Sequence, residues 1–204
     1  LNIFSLCLVI IYLDAKTLAK QMNPILLEYP KLLQTGRIAF FKKKTTLLNE
    51  GEICHRVFMI EKGCVRSWFN HDGNDVTFQF FFEGDIVTSF ESLKNDLPAL
   101  YNIETLTEVR LRVISKKELF DLIHHDLEIK NRLEHYITER LYHYQKLFIS
   151  RIKNNPQQRY EELLNENPDI FEKVPHHYIA TYLGITPVSL SRIRTKTKSS
   201  INIG

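Results

Sequence analysis

The residues of this chain best suited to chemistry lie near its C-terminus, in the segment Thr186-Pro187-Val188-Ser189-Leu190-Ser191-Arg192-Ile193-Arg194. Guanidinium groups reach guanine edges in pairs and neutralise phosphates, and hydroxyls complete such contacts. The preceding segment, His176 to Gly184, supplies a support for them. Its Ile179, Ala180 and Leu183 share one helical face that can bury. Gly184 follows where a helix end favours left-handed backbone, and Ile185 plugs the gap to the next helix. Thr186 can cap that helix, and Pro187 takes its first position, where no backbone donor is lost. Val188, Leu190 and Ile193 are assigned to its apolar contacts, which leaves Ser189, Ser191, Arg192 and Arg194 facing outward. Two short helices about a tight turn, the second carrying such groups, form a helix-turn-helix pattern suited to the major groove of double-stranded DNA. The candidate contact set is Thr186, Pro187, Ser189, Ser191, Arg192, Arg194 and Lys196. The competing reading is an ordinary helical hairpin with a solvated basic tail.

Charge favours the first reading. No Asp or Glu occurs from Val174 to Gly204, whereas Arg192, Arg194, Lys196 and Lys198 do. The whole chain carries only +3, so the basic excess is local. A local basic surface is the footprint expected beside a polyanion.

Other chemistries find little support. Cys7, Cys54 and Cys64 make neither an even disulfide framework nor a CxxC pair, and they fall short of the four thiolates of a typical iron–sulfur cluster. They fit a reduced, cytoplasmic compartment as buried spectator thiols, with a redox role as the alternative. The eight histidines offer no close pair on a strand with an acidic third ligand, so no metal is expected. His135 and His143 stand eight apart, where surface or helix-seam roles are usual. No Ser-His-Asp grouping, glycine-rich phosphate loop or paired carboxylates appear, so no catalytic residue and no enzyme activity are expected.

The elements that must position the reading segment are legible in texture. Asn23 to Leu33 reads as a short helix. Ile38 to Val113 reads as short strands separated by glycine turns, with Asp72-Gly73 as a hairpin signal. Such a series indicates a small antiparallel barrel or jelly roll. Ser115 and Glu118 have capping-box spacing and open a helix. A long helix then runs from about Leu127 to Asn154. Its apolar residues Leu133, Ile137, Leu141, Tyr144, Phe148 and Ile152 form one stripe. The stripe suits pairing with a second copy across a two-fold axis, with Leu133, Ile137, Leu141, Tyr144 and Phe148 as the seam. Packing on its own barrel would use the same stripe. Asn154-Asn155-Pro156 breaks the helix, and Gln157 to Asn165 starts the next.

Ile3 to Leu13 is an almost unbroken apolar run. Eleven residues are too few to span a bilayer as a helix, and no Lys or Arg precedes them as in a secretory signal. The run is either a helix packed on the body or sequence upstream of a start at Met22.

The order of barrel, long helix, hinge and helix-turn-helix resembles the Crp/Fnr family of bacterial transcription regulators. The residues that carry the resemblance are Lys44-Thr45-Thr46-Leu47-Leu48-Asn49-Glu50-Gly51-Glu52 and Val57-Phe58-Met59-Ile60-Glu61-Lys62-Gly63-Cys64-Val65-Arg66. Phe82-Glu83-Gly84-Asp85 and Asn155-Pro156-Gln157-Gln158-Arg159-Tyr160 add to it. It spans roughly Asn23 to Arg194. The resemblance implies a cyclic-nucleotide-binding-like β-roll, a dimerising helix and a winged-helix DNA-binding domain.

Two departures from that family stand out. Members that bind cyclic nucleotide carry a Gly-Glu-Leu turn after the Gly-Asp pair and then an Arg-Ser-Ala segment, whose Arg neutralises the phosphate. Here Gly84 and Asp85 remain, but Thr88 and Ser89 replace Gly and Glu, and the Arg slot falls near Leu97-Pro98-Ala99. A buried phosphate without a cation is costly. Arg110 and Arg112 share one face of a later strand, which is either a solvated face or a site for another anion. Phe78, Phe80, Phe81, Phe82 and Phe90 should crowd the pocket. The second departure is the wing, since Thr195 to Gly204 is too short and polar to pack one.

The expectation is an α+β chain. Residues 1–22 are an extension, 23–126 an antiparallel β-roll or jelly-roll sensor, 127–154 a dimerisation helix, and 155–204 a helix-turn-helix domain with a short or absent wing. It is expected to be a cytoplasmic homodimer that binds double-stranded DNA without a membrane or cofactor. Either it answers to an unidentified small-molecule effector that is not cyclic AMP, or its pocket is filled by its own side chains. The alternative is a ligand sensor whose DNA-binding end has degenerated.

Overall fold

A computed structural model describes residues 30–201. The apolar run Ile3–Leu13, Met22 and most of the helix expected from Asn23 lie outside the described residues. The chain there enters through a short helix α1 (Pro30–Gln34). Eight strands follow in two four-stranded antiparallel sheets: β1 (Arg37–Phe41), β2 (Thr46–Leu48), β3 (Arg56–Lys62), β4 (Val65–His71), β5 (Asn74–Phe81), β6 (Ile86–Val87), β7 (Asn102–Thr105) and β8 (Val109–Ser115). One sheet has the order β1-β8-β3-β6 and the other β2-β7-β4-β5. This is the expected β-roll. Its core takes Val57, Phe58, Met59 and Ile60 of the central strand β3, with Val65, Phe81, Ile103 and Leu111 from its neighbours. Four consecutive buried residues on β3 show a strand covered on both faces rather than half-solvated.

Turn chemistry sets the registers. His71 pairs with Asn74 across a two-residue loop, and Asp72 and Gly73 both have positive φ, as a primed hairpin turn requires. Gly63 (φ +97°) admits no side chain, because a Cβ there would lie 2.6 Å from the Glu108 carbonyl.

Two elements inside the roll have no counterpart in the sequence reading: the two-residue strand β6 and a helix α2 (Phe90–Asn95). Both are too short to show a period. Beyond the roll, α3 (Lys116–His125) opens on the expected capping box, in which Ser115 Oγ accepts from the Glu118 amide and the Ser115 amide donates to Glu118. The long helix α4 (Leu127–Lys153) ends at Asn154. Asn155 then caps α5 (Pro156–Glu166), with Pro156 at its first position. A short α6 (Ile170–Lys173) leads to α7 (His176–Leu183) and α8 (Pro187–Ile201). Among the described residues no helix is long and apolar enough to cross a membrane.

Candidate nucleic-acid interface and sensor pocket

The reading segment folds as a helix pair. At the end of α7, Gly184 has φ +67° and the Ile185 amide reaches back to the Ala180 carbonyl at 3.0 Å. Arg159 donates to the Leu183 carbonyl and Arg151 to the Tyr182 carbonyl at 2.7 Å, so two cations complete the C-terminus of α7. Thr186 Oγ1 accepts from the Ser189 amide at 3.1 Å and caps α8. Ile179, Ala180 and Leu183 are buried, and Leu190 of α8 joins them with Ile185 and Ile193 at the margin.

The face of α8 differs from the expectation at two positions. Val188, assigned to the apolar contacts, is 61% exposed. Leu190 and Ile193 already fill the seam with α7, and Val188 lies two residues round the helix from Leu190. Arg194, assigned outward, turns back instead. Its guanidinium bonds His176 Nε2 at 3.0 Å and lies 4.8 Å over the Phe171 ring. The Thr186 and Ser189 hydroxyls bond each other at 3.0 Å. Ser191, Arg192 and Lys196 do face outward. The helix continues to Ile201, so no wing strand follows it among the described residues.

The helix pair does not stand apart from the roll. Arg66 of β4 is 1% exposed. Its guanidinium binds Glu104 of β7 at 2.7 Å and Asp75 of β5 at 3.0 Å. It also donates to Thr77 Oγ1 and stacks 3.8 Å from the Tyr178 ring of α7 and 4.7 Å from Trp68. The Thr77 amide donates to Thr181 Oγ1, and Phe80 packs on Tyr182. A buried cation is tolerable only when paired and hydrogen-bonded, and here carboxylates and aromatic faces surround it. One apolar cluster therefore joins Cys64, Phe80 and Leu106 of the roll to α5–α8. Sequence reasoning missed Arg66, although an Arg between Val65 and Ser67 in a buried strand marks a position where charge must find partners.

Of the expected effector-pocket residues, Gly84 and Asp85 precede β6, Thr88 and Ser89 lie between β6 and α2, and Leu97 and Pro98 follow α2. The Gly84-Asp85 turn closes onto β3, with the Ile60 amide donating to the Asp85 carbonyl. The Asp85 carboxylate is buried and accepts from the Phe82 amide at 2.8 Å. Burial raises its pKa above the ordinary 3.8, against the pull of that amide and of Arg140. Thr88 Oγ1 is tied to the Arg56 carbonyl, and the Thr88 carbonyl accepts from Tyr101 Oη. Ser89 is buried at the start of α2, while Leu97 and Pro98 are exposed. The phenylalanines do not all crowd this region as expected. Phe81 enters the roll's core and Phe78 meets Tyr101 edge-on, but Phe80 and Phe82 turn toward the helix pair and Phe90 is exposed. The alternation of β5 sends neighbours to opposite faces. On the strand face expected to be solvated, Arg110 is exposed and Arg112 half-buried. Both bind Glu61, at 2.7 and 2.8 Å. Among the described residues no cluster of His, Cys, Asp or Glu could hold a metal.

Along α4 the stripe divides. Leu133 and Tyr136 pack on the roll's core, and Tyr136 Oη accepts from the Ile86 amide and donates to its carbonyl. Further along, Ile137, Leu141 (54%), Tyr144, Phe148 (66%), Ile149 and Ile152 are exposed. Between these stretches Arg140 lies over Phe81 and Tyr144. Burial, with Arg140 and Lys146 nearby, pushes His143 down to about 4, so it is neutral at physiological pH.

Residues 38–126 match the family described as cyclic nucleotide-binding domain. FixK2 from Bradyrhizobium japonicum superposes with a TM-score of 0.72 at 18% identity, over 81% of this chain and 86% of that one. The fold is that of the Crp/Fnr-type regulators. A protein described as a transcriptional regulator of the Crp/Fnr family from Eubacterium rectale gives a TM-score of 0.64 at 18% identity, over 80% and 79% of the two chains. The c-di-GMP-responsive global regulator CLP of Xanthomonas campestris gives 0.66 at 16%, over 83% and 90%. No curated protein matches the chain. The Crp/Fnr-type architecture thus holds from the roll through the helix pair.

Proposed function

We propose that this chain is a sequence-specific DNA-binding transcriptional regulator of Crp/Fnr type, acting in the cytoplasm as a homodimer. The β-roll 23–126 is its sensor, 127–154 its pairing helix and 155–204 its reading head. The observation that carries the reading is α8, a capped helix that presents Ser191 and Arg192 outward from an acid-free tail. The exposed apolar row Ile137, Leu141, Tyr144 and Phe148 supports pairing of two α4 helices. The test is selection of bound duplexes from a random DNA pool by the purified chain. A recovered palindrome, with half-sites about one helical turn apart, is the expected result. A pool without enrichment overturns the reading.

The sensor does not answer to cyclic AMP in this proposal. A cyclic phosphate needs a fixed cation and convergent amides. The slot holds Leu97 and Pro98, and the two nearby strand arginines are already bound to Glu61. The effector is then a less charged small molecule. Calorimetric titration with cyclic AMP and cyclic GMP should show no binding, and micromolar binding of either overturns this part. The second reading is a ligand sensor whose DNA-binding end has degenerated, and the feature that favours it is Arg194, which turns back onto His176 and Phe171 rather than outward. Salt-sensitive retention on heparin distinguishes the two, because only a phosphate-binding surface shows it.

A further inference from the structure

Val188 breaks the usual rule for an exposed helix position. It is β-branched, apolar and 61% exposed in the first turn of α8. Helix propensity does not favour valine there, and Val188 stands outside the apolar cluster that holds Leu190 and Ile193. Its neighbours on the same face, three and four residues on, are Ser191 and Arg192, both exposed. Of the other candidate side chains, Pro187 and Lys196 are exposed and three are engaged elsewhere. Thr186 and Ser189 bond each other, and Arg194 is held by His176 and Phe171. The open face at the start of α8 is therefore a branched hydrocarbon group beside one guanidinium.

Resting on the DNA-reading proposal above, we infer that Val188 is a specificity-determining residue that reads the 5-methyl group of a thymine. In the major groove only thymine offers a hydrocarbon surface, and small apolar side chains meet it by exclusion of water. Arg192 then takes a guanine through its two acceptors. Four residues of helix rise about 6 Å, and successive base pairs rise about 3.4 Å, so the two groups reach bases one or two steps apart. Each half-site should hold a thymine within two base pairs of an Arg192-contacted guanine. Ser191 lies between them and bonds either neighbour.

The test uses the full chain and the duplex that it selects from a random, unmethylated pool. Each thymine is replaced singly by deoxyuridine, which removes the methyl group and keeps every hydrogen-bonding edge. One thymine per half-site should lose about fourfold in affinity, the worth of one buried methyl. That loss should vanish in Val188→Ser, whose polar hydroxymethyl gains nothing from a buried methyl, and stay in Arg192→Lys, and a pool reselected with Val188→Ser should no longer prefer thymine there. Val188 is exposed, so the Ser variant keeps the fold. A flat deoxyuridine profile, or the same profile in Val188→Ser, overturns the inference while DNA reading stands. A pool without enrichment overturns the reading beneath it and this inference with it.

Discussion

At the scale of single residues, the structure sorts groups that look alike in sequence. Arg192 and Arg194 are two residues apart, yet one is exposed and the other is held by His176 and Phe171. Arg192→Ala should therefore weaken binding to a selected duplex by about 1–3 kcal/mol and relax preference at one base pair. Competition assays against single-base variants check this, and unchanged preference removes Arg192 from base reading. Asp85 gives a pH-dependent prediction. Its pKa is raised on folding by burial, so the neutral acid is the form the fold prefers. The stability it supports is complete below the unfolded value near 3.8 and is lost as pH rises through the folded value. Asp85→Asn keeps an acceptor for the Phe82 amide without the charge. It should raise the melting temperature at pH 7, and the gain should shrink toward pH 4. An equal shift at both pH values would show that ionisation is not the cause.

At the scale of elements, α4 serves two surfaces in succession. Its N-terminal half belongs to the roll through Leu133 and Tyr136, and its C-terminal half leaves a row of large apolar side chains exposed. Leu141→Asp should convert a dimer to a monomer in sedimentation and reduce duplex affinity with it, because a buried charge in a seam has no partner. A variant that still sediments as a dimer rules out this face. The same helix shows what sequence can and cannot reveal. Its length, its break at Pro156 and the capping box at Ser115 follow from local chemistry and were legible. The roll and the helix pair were legible from glycine turns and from the Gly184–Pro187 punctuation. The division of the stripe was not, because Leu133 and Leu141 look alike until the roll's surface is placed beside one of them. Val188 and Arg194 failed for the same reason. Periodicity gives a face only to within a residue or two, and the decision belonged to Leu190, Ile193 and Phe171. The Glu61 partnership of Arg110 and Arg112 depends on strand order, β8 beside β3, which no local signal carries.

At the scale of the whole molecule, the roll and the helix pair share buried surface. Arg66→Ala removes the cation between Glu104, Asp75 and Tyr178 and leaves a carboxylate short of its partner. The loss should be about 3 kcal/mol, read as a fall of roughly 6–12 °C in the melting temperature. Scanning calorimetry of the unaltered chain should show one transition, because the cluster from Cys64 to Leu190 bridges the roll and the helix pair. Two resolved transitions would contradict that continuity.

The Arg66 contact also bears on modularity. Reading heads of regulators invite exchange, since a hinge and a helix pair look transferable. Here α7 carries half of a buried stack, and the roll carries the charge that the stack covers. Cut at the hinge, the roll keeps an arginine stripped of its aromatic lid, and the excised head exposes Tyr178 and Tyr182. A chimaera bringing α5–α8 from another protein needs an aromatic residue at the place of Tyr178, or an apolar residue in place of Arg66. Because β8 pairs with β1 and β3, and β7 with β2, the roll cannot be divided, and the natural unit of exchange is the whole roll with α5–α8; grafts cut at Asn155 should aggregate where grafts that carry both partners fold.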